Sequence, residues 1–306
     1  MTNETQVFHA GYVAVMGRPN VGKSTLINAL LGQQIAAVSP KPQTTRHQQL
    51  GILTTPNAQI IFVDTPGLHN PLHKLGEYMN AEAADALGDA DLILFLVDIS
   101  FLPPHEEDYL LIRLLDELDS EIPPVVMALN KIDRLAEGDL SARMKTYTSL
   151  LPQATSLPIS ATRGDNLDEL VALLTERLPE APPYYPPDQV TDLFEREIAA
   201  DLIRAACLIH LRDEVPHAIA VRIDEYTERG TSGAYIRATL FVERESQKAI
   251  VIGEGGRMIK RIGSHARREI EAMSGRKVYL QLRVKVRKNW RNDENVLRQF
   301  GFARDK

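Results

Sequence analysis

Residues 12–31 hold the pattern that most restricts this chain. An apolar run from Tyr12 to Met16 leads into Gly17-Arg18-Pro19-Asn20-Val21-Gly22-Lys23-Ser24, and an apolar-periodic segment from Thr25 to Leu31 follows. The order is strand, glycine-bearing loop, helix. Gly17 and Gly22 permit backbone angles that turn successive N–H groups inward around phosphate oxygens, Lys23 reaches the terminal phosphates, and the Ser24 hydroxyl can ligate magnesium. A helix starting near Gly22 adds the positive end of its dipole. The four fixed positions of such a loop recur by chance in about one chain in a hundred of this length, so support must come from elsewhere in the sequence.

Three further segments follow in order, each at the end of an apolar run. Asp64-Thr65-Pro66-Gly67 closes the run Ile60 to Val63, where Asp64 can hold a magnesium-bound water and Gly67 can offer its N–H to the terminal phosphate. Asn130-Lys131-Ile132-Asp133 closes the run Val125 to Leu129. The Asp133 carboxylate can accept both the ring N–H and the exocyclic amine of guanine, and adenine presents neither donor in that place. A buried acceptor left unpaired costs about 1 to 3 kcal/mol, more when charged, so this residue points to GTP. Ser160-Ala161-Thr162, after Leu157 to Ile159, can aim backbone N–H groups at the guanine carbonyl. Each tetrapeptide alone suits an ordinary strand-end turn; together they specify a guanine-nucleotide site comprising Gly17 to Thr25, Asp64, Gly67, Asn130, Lys131, Asp133, Ser160 and Ala161.

With 306 residues and 44% apolar content, the chain can build two cores. No apolar stretch approaches the roughly 18 to 20 residues that span a bilayer, and residues 1–9 are too polar for a signal peptide, which reads as a soluble, non-secreted protein. The single cysteine, Cys207, lies in a helical apolar pattern and reads as core. A net charge of −6 hides an asymmetry. Residues 244–306 carry 17 Lys and Arg against 7 Asp and Glu, a balance of +10, and residues 1–243 carry the opposite, −16. The basic tail suits a nucleic-acid partner or simply a solvated face.

Leu178-Pro179-Glu180-Ala181-Pro182-Pro183-Tyr184-Tyr185-Pro186-Pro187 has too few backbone donors for helix or sheet and marks a stiff linker at 181–190, between domains at 1–180 and 191–306. In the first, apolar runs near 11–16, 50–54, 58–63, 92–97, 125–129 and 155–159 alternate mostly with helical patterns at 22–31, 105–118, 139–151 and 165–178. This predicts an α/β fold, a doubly wound and mostly parallel sheet with nucleotide at the strands' carboxyl ends. Residues 33–49 read as a long loop, of the kind that is usually functional or mobile.

After the linker the pattern is α-β-β-α-α-β: a helix at about 191–211, a strand from 218, a turn at 228–233, a strand to 242, two helices flanking Gly253-Glu254-Gly255-Gly256, and a last strand at 277–286. A lone Gly-x-x-Gly carries no weight. Set between two short helices, preceded by Ile252 and followed by Arg257 and Ile259, it resembles the glycine loop of an α+β type II KH domain, whose backbone admits about four unpaired nucleotides. Lys260, Arg261, Arg267 and Arg268 on the basic helix would supply phosphate contacts.

Taken together, Gly17 to Ser24, Gln43-Thr44-Thr45-Arg46, Asp64 to Gly67, Asn130 to Asp133, Val215-Pro216-His217 and Lys288-Asn289-Trp290-Arg291-Asn292 through Arg298-Gln299-Phe300-Gly301 resemble the Era family of bacterial GTPases nearly end to end. The resemblance implies a cytoplasmic factor that binds GTP, GDP and Mg²⁺, acts as a monomer and binds the 3′ end of 16S ribosomal RNA. It also implies a role in maturation of the small (30S) subunit and part-time association with the inner face of the cell membrane. It makes Thr45 the loop hydroxyl that joins Ser24 and Asp64 around magnesium. It also makes Asn20 a holder of K⁺ against the phosphates, a catalytic set with Lys23 and Thr45. One departure is Glu254, where the family often has a basic residue. Another concerns the reaction: many GTPases follow Asp64-Thr65-Pro66-Gly67 with a glutamine that orients water, and this chain has Leu68. Hydrolysis of GTP is therefore expected to be intrinsically slow. The alternative is an RNA-binding assembly scaffold for which GTP is mainly a structural ligand.

Overall fold

The computed structural model describes residues 7–39, 41, 44–117, 122–228 and 233–302. They form two compact units. The first comprises residues up to 33, 46–70 and 79–192; the second comprises 34–45, 71–78 and 193 onward.

The first unit is built on strands β1 (His9–Met16), β2 (Gln49–Thr54), β3 (Ala58–Asp64), β4 (Leu92–Asp98), β5 (Val125–Asn130) and β6 (Thr155–Pro158), in the spatial order β2-β3-β1-β4-β5-β6. β2 runs antiparallel to β3 and the other neighbours are parallel. β3 and β4 are buried at every position, as a parallel sheet covered on both faces requires. Ala83 and Leu87, Leu111 and Leu115, and Tyr147 close over Phe95, Val97, Met127 and Leu129 on one face. These come from helices α2 (Lys74–Gly88), α3 (Asp108–Asp116) and α4 (Leu140–Thr148); α1 (Lys23–Leu31) and α5 (Leu167–Thr175) pack against β3. Register places Val15 beside Asp64 and Asp98 beside Asn130. The polar residues that end these apolar strands therefore gather at one edge of the sheet.

Helix α2 is absent from the sequence reading. Its buried positions include Leu75, Met79, Ala83, Ala86 and Leu87, a helical spacing in which alanine supplies much of the stripe, so its hydrophobic signal is faint. The proline-rich stretch forms no helix or strand, yet it is not a free tether. Gln59, fully buried on β3, accepts the Tyr184 and Tyr185 N–H groups through Oε1 at 2.7 and 2.9 Å, while its Nε2 donates to the Tyr185 carbonyl at 2.9 Å and Thr54 Oγ1 at 3.1 Å. The Ile52 N–H donates to the Val190 carbonyl at 2.9 Å.

The second unit has helices α6 (Glu195–His210), α7 (Glu245–Ile252), α8 (Arg257–Ser274) and α9 (Glu294–Gln299), and strands β7 (Ala220–Glu228), β8 (Gly233–Val242) and β9 (Lys277–Val286). β8 pairs antiparallel with β7 and parallel with β9. The α-β-β-α-α-β order matches the expectation; the turn expected at 228–233 falls largely on 229–232, outside the described residues. Ile198, Leu202 and Ile203 of α6, Ile262, Ala266 and Ile270 of α8, and Ile236, Ala238 and Leu240 of β8 form one core. Cys207 is buried in it, and that burial pushes its thiol up to about 12, which removes it from nucleophilic chemistry. The only tryptophan of the chain, Trp290, is also buried, donating Nε1–H to the Ala218 carbonyl at 2.8 Å.

Gln59 uses both lone-pair directions and both N–H groups on its neighbours. Gln59→Leu leaves two backbone N–H groups of the proline-rich stretch without their acceptor, at about 1–3 kcal/mol each. We expect a loss of about 2–5 kcal/mol in urea unfolding of the first unit and faster proteolytic cleavage within 181–190. Unchanged stability and cleavage would show that the stretch is held by other contacts.

Candidate functional site

In the first unit, the loop between β1 and α1 turns at Gly22, whose φ of 108° admits glycine in preference to other residues and whose absent Cβ would lie 2.5 Å from Asn130 Nδ2. This close approach lets two loops more than a hundred residues apart in sequence share one edge. Lys23 is 7% exposed and curls its ammonium back over the loop, donating to the Gly17 carbonyl at 2.9 Å and the Arg18 carbonyl at 3.2 Å. Burial lowers its pKa to about 8; Asp64 opposes that shift and Arg18 adds to it. Ser24 Oγ donates to Asp64 Oδ2 at 2.9 Å, and Gln49 Nε2 reaches the same oxygen at 3.3 Å. A hydroxyl and a carboxylate are hard oxygen donors, a set that suits Mg²⁺. Thr25 follows at a half-buried position. Gly67 packs on Pro19, where a Cβ would come within 2.7 Å of the proline nitrogen.

The Arg18 side chain does not face the phosphate loop's interior. It runs to Asp108 at 3.2 Å and Asp98 at 3.9 Å, with Nη1 3.5 Å from the Pro19 carbonyl. Asp98 is a site residue not expected from the sequence. This 1%-exposed carboxylate ends β4, accepts Lys131 Nζ at 2.6 Å and anchors Ser100 through N–H and hydroxyl. Its signal was visible: one acid closing a strand that is otherwise wholly apolar.

Across the same edge, Asn130 donates through Nδ2 to the Val21 carbonyl at 2.8 Å, while its Oδ1 accepts the N–H groups of Lys131 at 2.8 Å and Ala161 at 3.0 Å. Lys131 also donates to the Asn20 carbonyl at 2.7 Å, and both Asn20 and Lys131 have positive φ. Asp133 accepts Ser160 Oγ–H at 2.6 Å. The Ser160 N–H donates to the Asp165 carbonyl at 3.1 Å and the Ala161 N–H to Asn130 Oδ1. The turn also steadies Asp133 through the Ser160 hydroxyl. Leu68 is 2% exposed and packs in the core of this unit, so its side chain offers nothing to a water at the phosphates. Thr45 is half-buried in the 34–45 segment, which belongs to the second unit.

In the second unit, Ile252 ends α7, Gly253 to Gly256 make the turn, and Arg257 starts α8. Gly253 has φ 68° and ψ 169°, and a Cβ there would lie 2.7 Å from Met258 Cβ, so α7 and α8 could not approach this closely with any other residue. Glu254 is exposed and pairs with Arg257 Nη2 at 3.0 Å, which partly offsets its charge. Beyond Arg257, the other four Lys and Arg residues of α8 divide. Lys260 and Arg267, seven residues apart and on one face, line a groove of about 430 Å³ with Ile259, Gly263 and residues 279–282 of β9. Arg261 and Arg268 flank His210 of α6, whose pKa is lowered first by burial and then by His265 and these two arginines. They therefore do not line the groove. No helix among the described residues is long and apolar enough to cross a membrane.

Comparison with known proteins bears on both units. Residues 12–131 match the family described as 50S ribosome-binding GTPase, and residues 214–291 match the KH domain. The chain is 44% identical to the GTPase Era of Heliobacterium modesticaldum across 96% of this chain and 97% of that protein. It is similar, with a TM-score of 0.88 and 41% identity over 97% of its length, to a crystal structure of Era with MgGDPNP and nucleotides 1506–1542 of 16S ribosomal RNA, of which it covers 99%. The same score, identity and share of this chain are found against all of an Aquifex aeolicus Era variant bound to GDP and AlF₄⁻. With a phosphate loop, a guanine-type acid and a KH glycine loop in one chain that aligns end to end with these relatives, the protein belongs to the Era family of GTPases.

Proposed function

We propose that this GTPase is a switch that binds the 3′ end of 16S ribosomal RNA through its KH unit and assists maturation of the small subunit, with part of the population peripheral to the inner face of the cell membrane. The observation that carries the reading is the presence in one chain of a guanine-nucleotide edge, with Asp133 steadied by Ser160, and a glycine turn opening on a groove flanked by Lys260 and Arg267.

On the nucleotide, Lys23 exchanges its two loop carbonyls for the terminal phosphates, and the start of α1 presents its N–H groups and dipole to them. Magnesium, when bound, would neutralise charge on the departing phosphoryl group, and Ser24 and Asp64 would hold it. Asn130 ties the base-reading loop to the Val21 carbonyl of the phosphate loop. Since Leu68 is buried and apolar, water is oriented by another element or a partner, and intrinsic turnover is slow. A GTP turnover assay with and without 3′-end RNA tests the switch: stimulation supports it, and no turnover in either case favours a scaffold using GTP as a structural ligand.

Asp133→Asn should weaken GTP by about two orders of magnitude, the loss of two bonds to a charged acceptor, and shift preference to xanthosine triphosphate, whose extra oxygen accepts from the new amide. Competition binding with the two nucleotides reads this out, and an unchanged GTP preference removes Asp133 from the site.

Turnover in potassium should exceed that in sodium at equal ionic strength, with the difference erased by Asn20→Ala, because a cation held there substitutes for a missing positive group at the transition state. Equal rates in both salts for the wild type leave Asn20 as a loop residue.

Glu254→Lys should tighten single-stranded RNA by about fivefold and steepen the salt dependence by close to one charge, with base preference unchanged, since phosphate contacts position and base contacts specify. A Gly255→Asp, Gly256→Asp double variant should lose binding. RNA titrations across a salt series check both, and indifference to all three substitutions places the RNA away from the glycine turn.

A further inference from the structure

The sheet of the second unit has two faces with different chemistry. Along β8 and β9, Ala234, Ile236, Ala238 and Leu240 and Val278, Leu280, Leu282 and Val284 turn toward the helices and join the core. By the two-residue period of a strand, Tyr235, Arg237 and Thr239 and Tyr279, Gln281, Arg283 and Lys285 occupy the opposite face. Tyr235 and Tyr279 are register partners, and their rings are stacked, with centroids 5.7 Å apart and planes 14° from parallel. Tyr235 donates its hydroxyl to Gln281 Oε1 at 2.9 Å, and Tyr279 remains 67% exposed.

The charges on this face are unequally matched. All three acids on β7 are paired: Asp224 with Arg222 at 2.8 Å, Glu225 with Arg237 at 3.1 Å and Glu228 with Arg276 at 3.4 Å. β9 contains no acid, and Arg283, Lys285 and the following Arg287 are all exposed at alternate positions, about 6.8 Å apart along the strand. Exposed cations are a common guard on an edge strand. That accounts for the arginines and the lysine; it does not account for an aromatic ring two-thirds exposed and stacked on a second one. Flat rings beside a row of cations are the chemistry that holds single-stranded nucleic acid, bases on the rings and phosphates on the cations. Tyr279 and Gln281 also line the groove beside α8, so the outward row begins where the groove ends.

We propose that the outward face of β9 is a second contact for single-stranded RNA: the strand leaving the groove crosses the edge of β9, stacks a base on Tyr279 backed by Tyr235, and lays phosphates along Arg283 and Lys285. This rests on the reading of the groove as an RNA site, extends the length of RNA held beyond the groove's share, and assigns Tyr279, Arg283 and Lys285 a binding role.

The test uses the full chain and single-stranded RNA of about four and about ten nucleotides, the shorter matching the capacity of a KH groove. Arg283→Gln with Lys285→Gln should lower the logarithmic salt slope for the longer RNA by about 1.4 and leave the shorter RNA unaffected. Tyr279→Ala should weaken the longer RNA by about tenfold, more than the shorter, and Tyr279→Phe should bind as the wild type does, since a phenyl ring also stacks. Intrinsic fluorescence of Trp290 during melting reports that each variant is folded. If the β9 variants bind the longer RNA as the wild type does while the Gly255→Asp, Gly256→Asp variant loses both lengths, the sheet-face proposal is overturned and the groove reading stands. If the glycine variant binds normally and the β9 variants do not, the groove reading fails and the sheet face is retained as the contact. Equal losses for both RNA lengths in the Arg283 and Lys285 variant also overturn the proposal.

Discussion

A buried carboxylate at the end of β4 holds the nucleotide edge of the first unit together. Asp98 takes Lys131 from the base-reading loop and lies 3.9 Å from Arg18 of the phosphate loop, while Lys131 in turn grips the Asn20 carbonyl. Two segments more than a hundred residues apart in sequence are thereby locked across one strand end. A charge buried to this degree is tolerable only when paired, and removing one partner of such a pair typically costs about 3–5 kcal/mol. Burial also pushes the Asp108 carboxyl upward, against the pull of Arg18. The phosphate loop thus rests on a network of buried charge that supports its shape while leaving its backbone for ligand.

The same logic of close approach without side chains governs the second unit. Gly253 lets α7 run directly into α8 past Met258, and α8 carries its buried residues, Ile262, Ala266 and Ile270, along a single stripe. With that stripe committed to the core, helical geometry forces its basic residues to two separate flanks. One flank, Lys260 and Arg267, meets β9 at the groove; the other, Arg261 and Arg268, faces α6. A sequence count of positive charge treats the four alike, and the helix does not.

Much of this was readable residue by residue. The strands were legible because five of the six in the first unit are runs of apolar residues ending in turn or polar signals, and the glycine loops because few chains place glycines at those spacings between a strand or helix and a helix. Helix α2 was not, since its stripe relies on alanine. Nor was the bond from the Ser160 hydroxyl to Asp133, because it joins loops that follow two different strands.

Chain order and residue chemistry alone determined the class of each unit, the guanine-type acid at Asp133, and the absence of a polar side chain at position 68. These are properties of local pattern, set by which residue types can turn a backbone, accept a hydrogen bond or fill a core. Tertiary structure decided the rest. It selected Asp98 as the anchor, turned Arg18 away from the phosphate loop, bound the proline-rich stretch to Gln59, split the basic helix and paired Tyr235 with Tyr279 on an open sheet face. Each of these depends on strand register or helix facing. Such relations join residues far apart in the chain, and only packing the elements together brings those residues within reach of one another.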